Sequence, residues 1–254
     1  MVHIPSQGVR RPSGATFWAE GGLAEVHRVS AGAPGPGGPR GKAEFSRASR
    51  WRLLKKLGTV KRAALPYFVT LTYPGTWIDE PERWHRDLEC LQRRLFRRWP
   101  GAALVWRLEF QERGAPHFHL LVWGWPADEN IWLLRTWIGR NWYEVVGSGD
   151  DRHLHAGTQV DLVRSYRGVL SYASKYMGKA DRARSGVGRW WGVAGRDRMP
   201  WAVQVAVALT DRQAVRLLRL MRRFAHMRSR AYRSLTVLAD GSFWLSAVAL
   251  GGAV

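Results

Sequence analysis

The chain has 254 residues, enough to bury a sizeable core as one main domain with tails. Forty Lys and Arg against 20 Asp and Glu leave a formal net charge of +20, far beyond what solubility needs, so a polyanionic partner is implied, nucleic acid before membrane. The final apolar run, Phe243 to Val254, is too short to span a bilayer, and the lone cysteine, Cys90, excludes an intrachain disulfide and a thiolate metal cluster, so a soluble cytoplasmic protein is expected.

Residues 1–45 are rich in Gly, Pro, Ser and Arg and carry no periodic apolar face, which predicts a disordered basic arm. A short basic helix with Trp51, Leu53, Leu54 and Leu57 is expected between Arg47 and Arg62. Tyr67 to Pro74 alternates as a strand closed by proline, with Thr70 and Thr72 on one face. Asp79 and Pro81 then signal a helix start, and Trp84, Leu88, Leu91 and Leu95 recur at helical spacing while the arginines between them point elsewhere.

The segment from Glu109 to His119 carries the most chemistry. If Glu112, Arg113 and Gly114 form a three-residue loop with Gly114 left-handed, residue 111 pairs with 115 and Glu109 faces His117. Strand alternation then places His117, His119 and Glu109 on one face, and Leu104, Trp106, Leu108, Phe110, Phe118, Leu120 and Val122 on the other. A two-residue loop would send Glu109 to the apolar face and bury its charge there, so the longer loop is preferred. The strands are expected over about 103–111 and 116–124. Two imidazoles and one carboxylate leave coordination positions open, suiting Mg²⁺ or Mn²⁺ that also holds a phosphate oxygen.

A Trp-rich helix is expected from about Glu129 to Asn141, a Gly/Asp loop at 147–151, and a strand from Thr158 to Leu162. His153-Leu154-His155 repeats the His-x-His spacing, but its polar, Gly/Asp-rich surroundings lack strand signals, so these histidines read as loop surface residues. From Ser165 to Lys179 an apolar stripe of Tyr166, Val169, Leu170, Ala173 and Met177 leaves Tyr172, Lys175, Tyr176 and Lys179 together on another helix face. After residue 62 every basic position except Lys175 and Lys179 is Arg, so a compact point charge is kept beside the two phenols. A phenol is mostly protonated at neutral pH and needs such help to act as a nucleophile. Beyond Trp190-Trp191-Gly192-Val193, a basic helix carrying Val215, Leu218, Met221 and Phe224 is expected from near Asp211, then a hairpin turning at Asp240-Gly241. The alternation of elements predicts an α+β fold with helices against a mainly antiparallel sheet. No Walker-type phosphate loop is present.

Three segments in order, Phe68-Val-Thr-Leu-Thr72, His117-Phe-His119 and Tyr172-Ala-Ser-Lys-Tyr-Met-Gly-Lys179, resemble the motifs of the HUH endonuclease superfamily, and specifically rolling-circle replication initiators. The doubled Tyr-x-x-Lys pattern is similar to the two-tyrosine gene A proteins of small single-stranded DNA phages and to related phage and plasmid Rep proteins. The resemblance covers roughly residues 66–180. It implies a ferredoxin-like or RRM-like nuclease domain (46–182) followed by a helix-and-hairpin extension (183–254), acting in the cytoplasm of a bacterial host cell. It further implies one divalent cation held by Glu109, His117 and His119, a 5′-phosphotyrosine link formed by Tyr172 or Tyr176 on single-stranded origin DNA, and Lys175 and Lys179 near the phosphate. A freed 3′-OH would serve a polymerase, and unwinding would need a partner helicase. A two-tyrosine transposase of the same superfamily and a non-catalytic nucleic-acid-binding protein are the other readings of the same residues.

Overall fold

The computed structural model describes residues 13–27, 45–126, 130–165, 184, 186–228, 236–237 and 243–244. The chain divides into two compact units, one of Met1–Gly38, Lys55–Arg62 and Trp201–Val254, the other of Pro39–Leu54 and Ala63–Pro200.

The second unit holds the sheet that matters for function. Its elements in chain order are β3 (Tyr67–Thr72), α2 (Pro81–Arg98), β4 (Ala103–Phe110), β5 (Pro116–Trp123), α3 (Ile131–Val146), α4 (Asp151–Ala156), β6 (Thr158–Leu162) and β7 (Trp191–Ala194). The described strands pair antiparallel in the order β6-β3-β5-β4-β7. Without β7 this is the split β-α-β-β-α-β arrangement of ferredoxin-like folds, as expected for the α+β class. β7 lies within 183–254, expected as a C-terminal extension, yet it is hydrogen-bonded to β4 from Leu104↔Ala194 to Arg107↔Trp191.

One sheet face is a continuous core. Val69 and Leu71 of β3, Leu104 and Leu108 of β4, Phe118, Leu120 and Val122 of β5 and Val160 of β6 are all at most 1% exposed. The apolar stripes of α2 (Trp84, Leu88, Leu91, Leu95) and α3 (Leu134, Ile138, Trp142) are buried with them, as period-3.6 patterning demands. Trp142 meets Phe118 edge-on at 6.4 Å, and Trp84 meets Phe110 at 5.5 Å. α3 outruns its expected end at Asn141 because Trp142 continues the stripe, and the helix stops only at Gly147, whose φ of 63° supplies the left-handed cap.

The other unit holds β1 (Gly14–Ala19), β2 (Ala24–His27), β8 (Val203–Ala208) and α5 (Asp211–Arg228), with β9 (Thr236–Val237) paired to β10 (Phe243–Trp244) as the expected hairpin requires. Residues 14–27 correct the expectation of an arm without regular structure. β1 pairs with β2 locally and with β8 across the chain, burying Ala15, Ala24 and Val26 against Ala214 of α5. Ser13 accompanies this by hydrogen-bonding Asp211. Thr210 and Gln213 form a reciprocal capping box at the start of α5. α1 (Arg47–Gly58) is the short basic helix expected upstream. No helix among the described residues is long and apolar enough to cross a membrane.

Candidate metal centre and its cleft

The β4–β5 turn sets the site. Gly114 has φ 84°, the Gly114 amide donates to the Gln111 carbonyl at 2.8 Å, and the Gln111 amide donates to the Ala115 carbonyl at 3.0 Å. This is the three-residue loop, and the register that follows pairs Glu109 with His117 and Arg107 with His119. Arg113 clamps the loop from the side, its guanidinium donating to the carbonyls of Tyr73 and Pro74 while stacking over Trp77 at 4.9 Å.

β3 lies on the other side of β5, with Thr72 opposite His117 and Thr70 opposite His119. The Thr72 hydroxyl engages Nδ1 of His117 at 3.2 Å, and the Thr70 hydroxyl engages Nδ1 of His119 at 3.3 Å. Both rings are thus oriented through the same nitrogen, and a ligand would be bound through Nε2 of each. The two rings stand 4.4 Å apart, near perpendicular. Nε2 of His119 donates to Oε2 of Glu109 at 3.2 Å, and Oε1 of Glu109 takes the Arg107 guanidinium. Cis ligands at the roughly 2.1 Å of a small hard cation lie about 3 Å from each other, so the Glu109–His119 separation fits a shared ion. Among the described residues no group of three or more His, Cys, Asp or Glu side chains is already placed to hold a metal ion.

Arg107 is the partner that sequence reading missed. It sits two residues before Glu109 on the same face, only 2% exposed, and its guanidinium lies over the Phe45 ring at 4.3 Å. A burial this deep is tolerated because the Glu109 carboxylate and an aromatic face both meet the charge. The i, i+2 spacing to Glu109 carries the signal, but one arginine among 40 Lys and Arg reads by itself only as charge. The expectation of one chemical face and one apolar face is corrected in part as well. Val105 and Leu121 lie on the site face yet are 4% and 3% exposed, so the chemistry occupies only the end of that face nearest the turn.

Above the imidazoles opens a cleft of about 900 Å³ lined by Phe68, Thr70, Thr72, Glu109, His117, His119, Thr158 and Gln159 among others. Phe68 stacks on His119 with 5.5 Å between centroids and 18° between planes. Tyr73 follows β3 directly, but it is not a nucleophile in waiting. Burial, reinforced by the neighbouring Asp87 carboxylate, pushes its phenol far above the ordinary value, and it keeps its proton to donate to Asp87 at 3.0 Å. Asp87 is itself raised, by burial first, against the lowering pull of its hydrogen bond from Arg83.

His153 and His155 do not lie in a loop. Asp150 caps a six-residue helix by accepting from the Arg152 amide at 2.9 Å, which places His153 inward at 6% exposure and His155 outward. His153 donates from Nε2 to the Thr72 carbonyl at 2.7 Å and does not join the Glu109 cluster. Tyr172, Lys175, Tyr176 and Lys179 fall outside the described residues.

Residues 66–181, a little under half the chain, match the family model of the replication-associated protein ORF2. This span starts one residue before β3 and contains Glu109, both cleft histidines and the Tyr172–Lys179 segment. Comparison with curated proteins and with solved structures gave no match.

Proposed function

We propose that this chain is a replication initiator that nicks and rejoins single-stranded DNA at an origin through a tyrosine. One observation carries the reading: the β4–β5 register brings Glu109, His117 and His119 together in an open cleft, with threonines fixing both imidazoles, inside the stretch that matches a replication-associated family. The chemistry of the donor set suits Mg²⁺ or Mn²⁺, which Glu109 and Nε2 of His117 and His119 would hold. When bound, such an ion supplies Lewis-acid polarisation of a phosphate oxygen.

The chain's own groups do the rest. Thr70 and Thr72 keep each ring in one orientation, so the rings need not turn when a strand arrives. Arg107 balances the Glu109 carboxylate from the buried side. The phenol of Tyr172 or Tyr176 attacks phosphorus, a P–O bond to tyrosine forms, the P–O3′ bond breaks, and the 3′ oxygen leaves as a hydroxyl for a host polymerase. Lys175 and Lys179 offset charge on the phosphate. The bond energy retained in the phosphotyrosine allows rejoining, and a host helicase unwinds the duplex. A net charge of +20 supports a long contact with the DNA backbone.

A transposase would use the same chemistry, and the replication-associated match favours the initiator. A non-catalytic binder is favoured by one fact, that Glu109 is already hydrogen-bonded to Arg107 and His119. The experiment is incubation with a single-stranded DNA library and Mn²⁺, resolved on a denaturing gel. A covalent band is expected that EDTA and the double change Tyr172→Phe/Tyr176→Phe abolish, with DNA affinity near the parent's. A band that survives the double change sinks the tyrosine assignment, and tight binding without any band supports the binder.

A further inference from the structure

The carboxylate of the site face has a buried charge behind it. Arg107 and Glu109 are two positions apart on β4, so both side chains leave the same sheet face, and Arg107 sits between His119 on one neighbouring strand and Trp191 on the other. Its side chain is only 3% exposed, and Phe45, buried as deeply, lies over the guanidinium at 4.3 Å. The guanidinium donates to Oε1 of Glu109, whereas Oε2 meets Nε2 of His119 at 3.2 Å among the groups that line the cleft. The two oxygens of one carboxylate therefore face different partners: a fixed cation on the inner side and an imidazole on the cleft side.

We infer that Arg107 sets the cation preference of this centre, because by holding Oε1 it restricts Glu109 to one coordinating oxygen. The inference rests on the reading of Glu109, His117 and His119 as metal ligands. Separating a buried pair of opposite charges strands both away from water, so Oε1 stays with Arg107 when a cation meets Oε2. Mg²⁺ and Mn²⁺ complete an octahedron from single donor atoms, whereas Ca²⁺ takes about six to eight oxygens and readily uses both oxygens of one carboxylate. A one-oxygen glutamate suits the smaller ions. Imidazole nitrogens also disfavour Ca²⁺, which prefers oxygen donors, but that contribution does not depend on Arg107. Arg107 is a positioning residue, since it acts on the ion through Glu109.

The test is calorimetric titration of the full chain with Mn²⁺, alone and against competing Ca²⁺, in the parent, Arg107→Met and Arg107→Lys. The parent is expected to prefer Mn²⁺. Arg107→Met removes the donor from Oε1 and is expected to narrow that preference roughly tenfold, the lower end of what groups behind a ligand are worth. Arg107→Lys keeps a cationic donor for Oε1 and is expected to retain most of the preference. A purely structural role for Arg107 moves both affinities alike and leaves their ratio unchanged in Arg107→Met, which overturns the inference. Should Arg107→Met fail to fold, as a thermal melt reveals, the parent decides by itself. Its infrared difference spectrum, Mn²⁺-loaded against EDTA-treated, is expected to show the wide splitting of carboxylate stretches that one-oxygen ligation gives, in the bands that Glu109→Gln abolishes; a narrow splitting overturns the inference. A parent that binds no Mn²⁺ removes the metal reading and the inference together, whereas Mn²⁺ bound with an unchanged ratio or a narrow splitting removes the inference alone.

Discussion

His117-Phe118-His119 and His153-Leu154-His155 have the same spacing and opposite fates. On β5, residues i and i+2 point the same way, so both imidazoles enter one cleft and each is met by a threonine of β3. On α4, two residues advance about 200° around the axis, so His153 is buried and His155 is exposed. A shared spacing specifies a shared site only after the backbone period is known. The pairs are also linked, because the Thr72 carbonyl that receives His153 belongs to the residue whose hydroxyl holds His117.

The largest effect expected breaks the first pair. His117→Ala or His119→Ala removes a proposed metal ligand and is expected to lower Mn²⁺ affinity and adduct yield by more than about 100-fold, since even changes to the groups behind a ligand cost roughly 10- to 100-fold. Titration calorimetry with Mn²⁺, alongside a thermal melt, checks this. Parent-like metal affinity in both variants would remove the metal centre from this face.

Much of that face was legible beforehand, for a local reason. Gly114 fixes the turn, the turn fixes the register, and the register fixes which residues meet, all within a dozen residues. α4 was hidden because its helix-capping Asp150 and the preceding Gly147 and Gly149 have the composition of a loop, and six residues give no periodicity to read. β1 was hidden for the opposite reason: its second partner, β8, lies some 190 residues away, and no local window contains that pairing. Arg107 needed the site to be assembled before its charge had a meaning.

A smaller effect tests the layer behind the ligands. Thr70→Val and Thr72→Val keep shape and remove the hydroxyls that orient the two rings. Metal affinity is expected to fall about 10- to 100-fold in each, with the melting temperature changing little because both positions are only half-buried. A loss of stability with unchanged metal affinity would mean that the threonines serve the sheet rather than the ligands.

The smallest effects divide the second pair. His153→Ala deletes the donor to the Thr72 carbonyl and leaves a void beside Tyr143, whose ring stacks with His153 at 6.3 Å. The Thr72 carbonyl also accepts from the Trp142 indole at 2.7 Å and its amide donates to the Gly157 carbonyl at 2.8 Å, so β3 keeps its place in the sheet. The expected cost is therefore about 1–3 kcal/mol of stability, read by urea denaturation, with the stoichiometry of Mn²⁺ unchanged. His155→Ala, on the outward side of the same turn, is expected to stay within about 0.5 kcal/mol and to leave metal affinity alone. Loss of metal binding in His155→Ala would reverse the assignment of the two pairs, because an exposed helical imidazole can matter to the metal only by binding it.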